Sequence, residues 1–233
     1  MFGTKQTELA PKHLREKGYA VASLDYRLSG DAHFPAAVED CKAAVRWLRA
    51  NSELYSLDPE RFVAWGESAG AHHAAMLGTT ADTETFDVGE YLHVSSAVQG
   101  VVDYYGPTDF LQMDDNALEG SQKHNPPDSP ESKYIGGAIT EHLEKVQRAN
   151  PITYISVSTP PFFIAHGTND HIVPFHQSVL LVDALRQANV SVTFHPVERA
   201  DHVFRDITPE RNKALNEATE KFLEDLFSGN TQK

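Results

Sequence analysis

Apolar positions along this chain follow two alternating rhythms. Short runs in which nearly every residue is apolar or β-branched predict strands at 19–26, opened by Gly18, and at 61–66, 98–105, 161–166 and 191–197. Between them, apolar residues recur at spacings of three and four and predict helices. The first covers 36–50, with Val38, Cys41, Val45 and Leu48 on one side. A second, of small residues, covers 69–77, and a third runs from about Ser178 to Gln187. A last helix carries Leu215, Ala218, Phe222 and Leu226 on one stripe. Strand and helix alternating in this way predict an α/β fold, a mostly parallel sheet flanked by helices.

Residues 111–150 break the rhythm. They are polar, contain Pro126-Pro127 and Ser129-Pro130, and are long for a connection inside a compact domain. The segment reads as a small insertion over one end of the sheet within a single domain spanning 1–233. Two readings of it stand: a lid that shapes a substrate pocket, or a solvated excursion.

Composition narrows the function classes. With 20 Lys and Arg against 33 Asp and Glu, the formal net charge is −13. That balance argues against nucleic acid, whose affinity comes largely from cations neutralising phosphates, and against an anionic membrane surface. The single cysteine, Cys41, agrees with a core that needs no disulfides. No run is long and apolar enough to predict a membrane span, and a cytoplasmic, soluble protein is the expectation.

Gly66-Glu67-Ser68-Ala69-Gly70 is the sharpest chemical signal, because it falls where a predicted strand ends and a helix of small residues begins. A nucleophile elbow requires that context. The turn would hold Ser68 in a strained conformation and lift its hydroxyl above the sheet, with Gly66 and Gly70 supplying room. The helix start beside it offers backbone N–H groups and a favourable dipole to a developing oxyanion.

A serine hydroxyl needs a base to take its proton and a carboxylate to orient that base, in the chain order serine, acid, histidine. Asp170 follows the 161–166 strand and His202 follows the 191–197 strand, so both would reach the same sheet edge as Ser68. Rivals exist among 12 histidines. His166, at a strand end, reads as a hydrogen-bonded core or loop residue; His171 and His176 read as surface groups, and His72 and His73 as packing on the helix after the elbow. Asp201 adjoins the base in sequence, where side chains diverge, and Asp109 precedes the insertion. Neither a His-Glu-x-x-His pattern nor paired cysteines occur, so no metal and no cofactor are expected.

Taken together, these residues resemble α/β-hydrolase-fold serine esterases of the hormone-sensitive-lipase-like and feruloyl-esterase-like carboxylesterase group. The likeness runs through nearly the whole chain: Gly18-Tyr19-Ala20-Val21, Asp25-Tyr26-Arg27-Leu28, Asp40-Cys41-Lys42-Ala43-Ala44-Val45-Arg46-Trp47-Leu48, the elbow, Tyr105-Gly106-Pro107-Thr108-Asp109, Asn150-Pro151-Ile152-Thr153-Tyr154 and His166-Gly167-Thr168-Asn169-Asp170. The resemblance implies that Ser68, Asp170 and His202 form the triad and that the Ala69 N–H is half of the oxyanion hole. It marks Asp25-Tyr26-Arg27-Leu28 as structural. The elbow continues Gly70-Ala71-His72 where prolyl peptidases of this fold usually carry Gly-Gly-Tyr, which favours an esterase.

One departure from the family pattern concerns the N-terminus. Members of the group begin with further strands and a His-Gly-Gly loop that donates the other oxyanion N–H groups, whereas Met1-Phe2-Gly3-Thr4-Lys5 resembles the segment just after it. Either the chain as given is N-terminally shortened, or the 19–26 strand shifts to pair directly with the 61–66 strand through a right-handed crossover. Unpaired strand edges would invite self-association, which keeps a homo-oligomer open. The expected function is hydrolysis of short acyl or aryl esters through an acyl-enzyme. A peptidase or amidase with the same triad, and an inactive hydrolase-fold remnant acting as an interaction module, are the alternatives.

Overall fold

The structure, a computed structural model, describes residues 12–228. Its centre is a four-stranded sheet in which neighbouring strands run parallel in the order β1-β2-β3-β4, with β1 Val63–Glu67, β2 Gly100–Tyr104, β3 Phe162–Gly167 and β4 Val192–Val197. All residues of β2 and β3 are buried. Their side chains alternate between two cores, which is why these runs are continuously apolar rather than alternating. Val101, Phe162 and Ile164 pack on one face with helices α2 (Ala36–Ala50), α3 (Ala69–Thr79) and α6 (His176–Gln187). Val102, Phe163 and Ala165 pack on the other with Leu14 of α1 (Lys12–Glu16) and with Leu215 and Leu223 of α7 (Pro209–Ser228).

Helix α2 has the bounds its amphipathic pattern predicts, with Val38, Cys41 and Val45 buried. Two charged residues are buried beside them. Lys42 reaches the carbonyls of Thr80 and Thr83, Arg46 reaches that of Val88, and both pair with Asp87 at 3.2 and 2.6 Å, so one carboxylate and three carbonyls serve two buried cations.

The strand predicted at 19–26 does not join the sheet. Residues 19–28 run without strand pairing among the described residues, and β1 pairs with β2 alone. The shifted pairing with the 61–66 strand is therefore not formed. Side-chain tethers hold this segment instead. The Tyr26 ring meets His73 edge-on at 4.5 Å, and the Arg27 guanidinium grips Asp40 at 2.8 Å and Glu39 at 3.3 Å near the start of α2. Met1 to Lys5 lie outside the described residues.

The polar 111–150 segment is less solvated than its composition suggests. Its apolar residues fall on short turns and on helices α4 (Pro130–Ile135) and α5 (Leu143–Arg148). Met113, Tyr134, Ile135, Ile139 and Val146 gather there with Phe34, Ala37 and Val38 into a third core. Its polar residues serve the turns: the Ser129 side chain caps α4, and Asp114 accepts the N–H groups of His124 and Asn125.

Candidate active site

Ser68 stands between β1 and α3 at φ 52° and ψ −120°. A non-glycine residue tolerates that conformation only when its surroundings fix it. Here its N–H donates to the Tyr104 carbonyl at 2.9 Å and its carbonyl accepts the His72 N–H at 3.1 Å. The two elbow glycines differ. A Cβ on Gly66 would run into the Gly70 carbonyl and the Ala71 nitrogen, whereas a Cβ on Gly70 would meet nothing within 4 Å. The room predicted for both is needed only at Gly66. Ala69 opens α3, so its N–H has no intrahelical acceptor.

Strand order makes the rest of the site a problem of reach. Ser68 leaves β1 and His202 leaves β4, three strand spacings or roughly 14 Å away. The chain between Val197 and Ile207 closes that distance by folding back over the sheet, with left-handed φ at Arg199, Val203, Phe204 and Asp206. It is fastened to the loop after β3: the Asn169 N–H donates to the Ala200 carbonyl, the Arg199 N–H to the Thr168 hydroxyl, and the N–H groups of His171 and His202 to Asp201 Oδ1. Gly167 permits this contact, since a Cβ there would strike the Ala200 backbone.

These loops bring the three predicted residues together. The Nε2 of His202 lies 3.1 Å from Ser68 Oγ, and its Nδ1 lies 2.7 Å from Asp170 Oδ2. Burial pushes the Asp170 carboxyl up, but hydrogen bonds from His166 and His202 outweigh it and hold the group well below the usual carboxylate range. The backbone N–H groups of Ile172 and Val173 also donate to its Oδ1, each at 2.8 Å. An ionised carboxylate only accepts, so Nδ1 of His202 carries the proton and Nε2 is free to take one from the serine hydroxyl.

Glu67 and Tyr105 complete the wall under His202. Tyr105, at φ 48°, follows β2 and turns its ring against the imidazole at 4.9 Å, while its hydroxyl donates to Glu67 at 2.5 Å. Burial, and next the Glu67 charge, keep the phenol protonated. Phe204 packs edge-on to the same ring at 4.8 Å. From the sequence, Tyr104, Tyr105, Phe110 and Phe204 are candidates to line a pocket, with a core reading preferred for aromatics at strand ends; the contacts of Tyr105 with His202 and Glu67 are not predicted.

The rival residues do other work. His72 is buried with Nδ1–H donating to the Pro107 carbonyl, and burial pushes its pKa down to about 4. Asp201 caps the turn that carries His202, Asp109 caps the turn at Phe110, and His166 is buried beneath Asp170. Beside Asp170, a half-open cleft of about 220 Å³ is lined by Thr168, Phe175, His176 and Val179 and, from the insertion, by Asn116 and Leu118. Among the described residues, no group of three or more His, Cys, Asp or Glu is arranged to hold a metal, and no helix is long and apolar enough to cross a membrane.

Comparison with known proteins places these features in context. Residues 3–185 match the BD-FAE family. The chain is similar to a probable carboxylic ester hydrolase, LipM, of Mycobacterium tuberculosis, with 29% identity over 97% of this chain and 52% of that protein. It spans about half the length of the curated relatives it matches. Among solved structures, it resembles a truncated form of a carbohydrate esterase from gut microbiota, with 29% identity, a TM-score of 0.77, and 88% of this chain and 73% of that chain covered. It also resembles butyrate-bound esterase Est2 of Thermogutta terrifontis, with 27% identity, a TM-score of 0.64, and 86% and 70% coverage. The sheet and its flanking helices are of the α/β-hydrolase type.

Proposed function

The chain belongs to the BD-FAE family, and from that premise we propose that it is a serine carboxylic-ester hydrolase acting on short acyl esters. The observation that carries the reading is the continuous contact from Asp170 Oδ2 through His202 to Ser68 Oγ, at 2.7 and 3.1 Å. His202 Nε2 removes the Ser68 proton as Oγ attacks the ester carbonyl carbon, and the ionised Asp170 stabilises the imidazolium that forms. The Ala69 N–H faces charge developing on the carbonyl oxygen. Collapse of the tetrahedral intermediate breaks the bond to the alcohol oxygen, which takes the proton from His202. Water, deprotonated by the same imidazole, then releases the acid and restores Ser68.

Similarity to an esterase solved with butyrate bound supports a short acyl group, and similarity to a carbohydrate esterase supports a sugar hydroxyl as its carrier. The 111–150 segment packs its apolar residues against Ala37 and Val38 of α2 and contributes Asn116 and Leu118 to a cleft that neither Ser68 nor His202 lines. Hydrolysis of p-nitrophenyl acetate and butyrate by the parent and by Ser68→Ala, both checked for folding, tests the proposal. Turnover confined to the parent is the expected result; equal rates in the two would overturn it.

A further inference from the structure

A second imidazole lies beneath the triad and takes no part in the steps above. His166, on β3, is wholly buried. Its Nδ1 is 2.7 Å from the Ser178 hydroxyl on α6, and its Nε2 is 2.9 Å from the Val173 carbonyl oxygen and 3.3 Å from Asp170 Oδ2. The Nε2–H donates to the Val173 carbonyl, with Asp170 Oδ2 a longer second contact on the same nitrogen, so Nε2 bears a proton; Ser178 then donates to a bare Nδ1. With both nitrogens engaged, the ring cannot flip without losing both bonds. Phe175 and Tyr105 meet it edge-on at 5.7 and 6.4 Å, and the buried Asp103 carboxyl at the end of β2 is the other charged group that acts on it.

Asp170 feels the consequence. Its Oδ1 is fixed by two backbone N–H groups, but its Oδ2, the oxygen that meets His202, has only side chains to orient it. A buried imidazole needs partners on both nitrogens whatever its role; what is particular to His166 is that one contact is Asp170 Oδ2, the oxygen that meets His202. We propose that His166 is a positioning residue for the acid–base pair: its Nε2–H, held in that tautomer by Ser178, fixes the plane of the Asp170 carboxylate and through it the orientation of His202. The inference rests on the triad reading of Ser68, His202 and Asp170.

The test compares His166→Leu, which fills volume without a donor, with His166→Gln, whose amide can present N–H toward Asp170 and oxygen toward Ser178, and with Ser178→Ala. Two quantities are read in each folded protein: kcat and KM on p-nitrophenyl acetate, and the far-downfield proton resonance of the His202–Asp170 hydrogen bond. His166→Leu should lower kcat roughly 10- to 100-fold with KM nearly unchanged, and should shift or broaden the resonance. His166→Gln should restore most of both, and Ser178→Ala should move the resonance and lower kcat by a smaller factor.

Parent-like kcat and resonance in a folded His166→Leu variant would overturn the proposal, as would a kcat loss that leaves the resonance in place. Should His166→Leu fail to fold, an unmoved resonance in both His166→Gln and Ser178→Ala alongside a large kcat loss in His166→Gln would overturn it equally. A parent with no ester turnover refutes the proposed function, and the resonance alone then decides whether His166 controls the His202–Asp170 proton.

Discussion

Inside β2 and β3 every residue is buried, and the backbone is ordinary parallel strand. A few ångströms above, where the strands end, Ser68, Tyr105, Arg199, Val203, Phe204 and Asp206 all take φ between 48° and 68°. Nine non-glycine residues among those described have positive φ, and six belong to this rim, so strain is concentrated rather than scattered. Each such residue costs on the order of 1–3 kcal/mol, and Val203, being β-branched, falls at the expensive end. The comparison teaches a division of labour. A two-faced apolar sheet supplies burial, and the turns above it hold Ser68, Tyr105 and the loop that carries His202 in backbone conformations that relaxed turns would not adopt.

The largest expected effect strikes the rim alone. His202→Ala should lower kcat by roughly 10⁴-fold or more while its urea-unfolding midpoint stays near that of the parent, because little of the core is touched. A variant equally crippled in stability would blur the boundary between rim and sheet. Next comes the junction of the two regions. Gly66→Ala should destabilise by about 3 kcal/mol or more in urea unfolding, since backbone blocks the new Cβ, whereas Gly70→Ala should stay within about 1 kcal/mol.

A third expectation sharpens the electrostatic side of the contrast. Burial pushes Asp103 up to about 6, against smaller lowering effects from the Gly106 N–H and His166. The folded protein thus holds this proton more tightly than the unfolded chain does. The associated stability is fully present below about pH 4 and is lost as pH rises from about 4 to 6, a change on the order of 2–3 kcal/mol. Asp170 has the opposite sign, stabilising above the ordinary carboxylate range and losing that contribution only as pH falls through its depressed value. In Asp103→Asn, which keeps an acceptor for Gly106, the decline between pH 4 and 6 should vanish from chemical denaturation curves. Smallest of all, Val203→Gly should raise stability by roughly 1 kcal/mol through relief of its left-handed backbone, with a few-fold loss of kcat as the loop loosens.

What the sequence made legible follows the range of the forces involved. The bounds of α2 and the elbow were readable because periodicity and a five-residue turn are local. Ser68, Asp170 and His202 could be placed on one sheet edge because parallel strands end together. The run at 19–26 has the apolar pattern of a strand, but pairing needs a partner edge, and Tyr26 and Arg27 tether it elsewhere. Burial of Lys42 and Arg46 depends on Asp87, more than 40 residues away, so no helical periodicity announces it. In 111–150 the apolar residues sit on short turns and on two helices of six residues each, too short to show a period, which hid a packed core behind polar composition. His166 reads as an ordinary core residue until Ser178 and Asp170 are seen on either side of it.

The central claim is that the rim exists to activate Ser68, and a serine-directed fluorophosphonate tests it most directly, with mass spectrometry locating the adduct in the parent and in His202→Ala. The account predicts one adduct, on Ser68, formed in the parent at least about 100-fold faster than in His202→Ala. A folded parent that stays unmodified, an adduct on another serine, or equal labelling of Ser68 without His202 would contradict it.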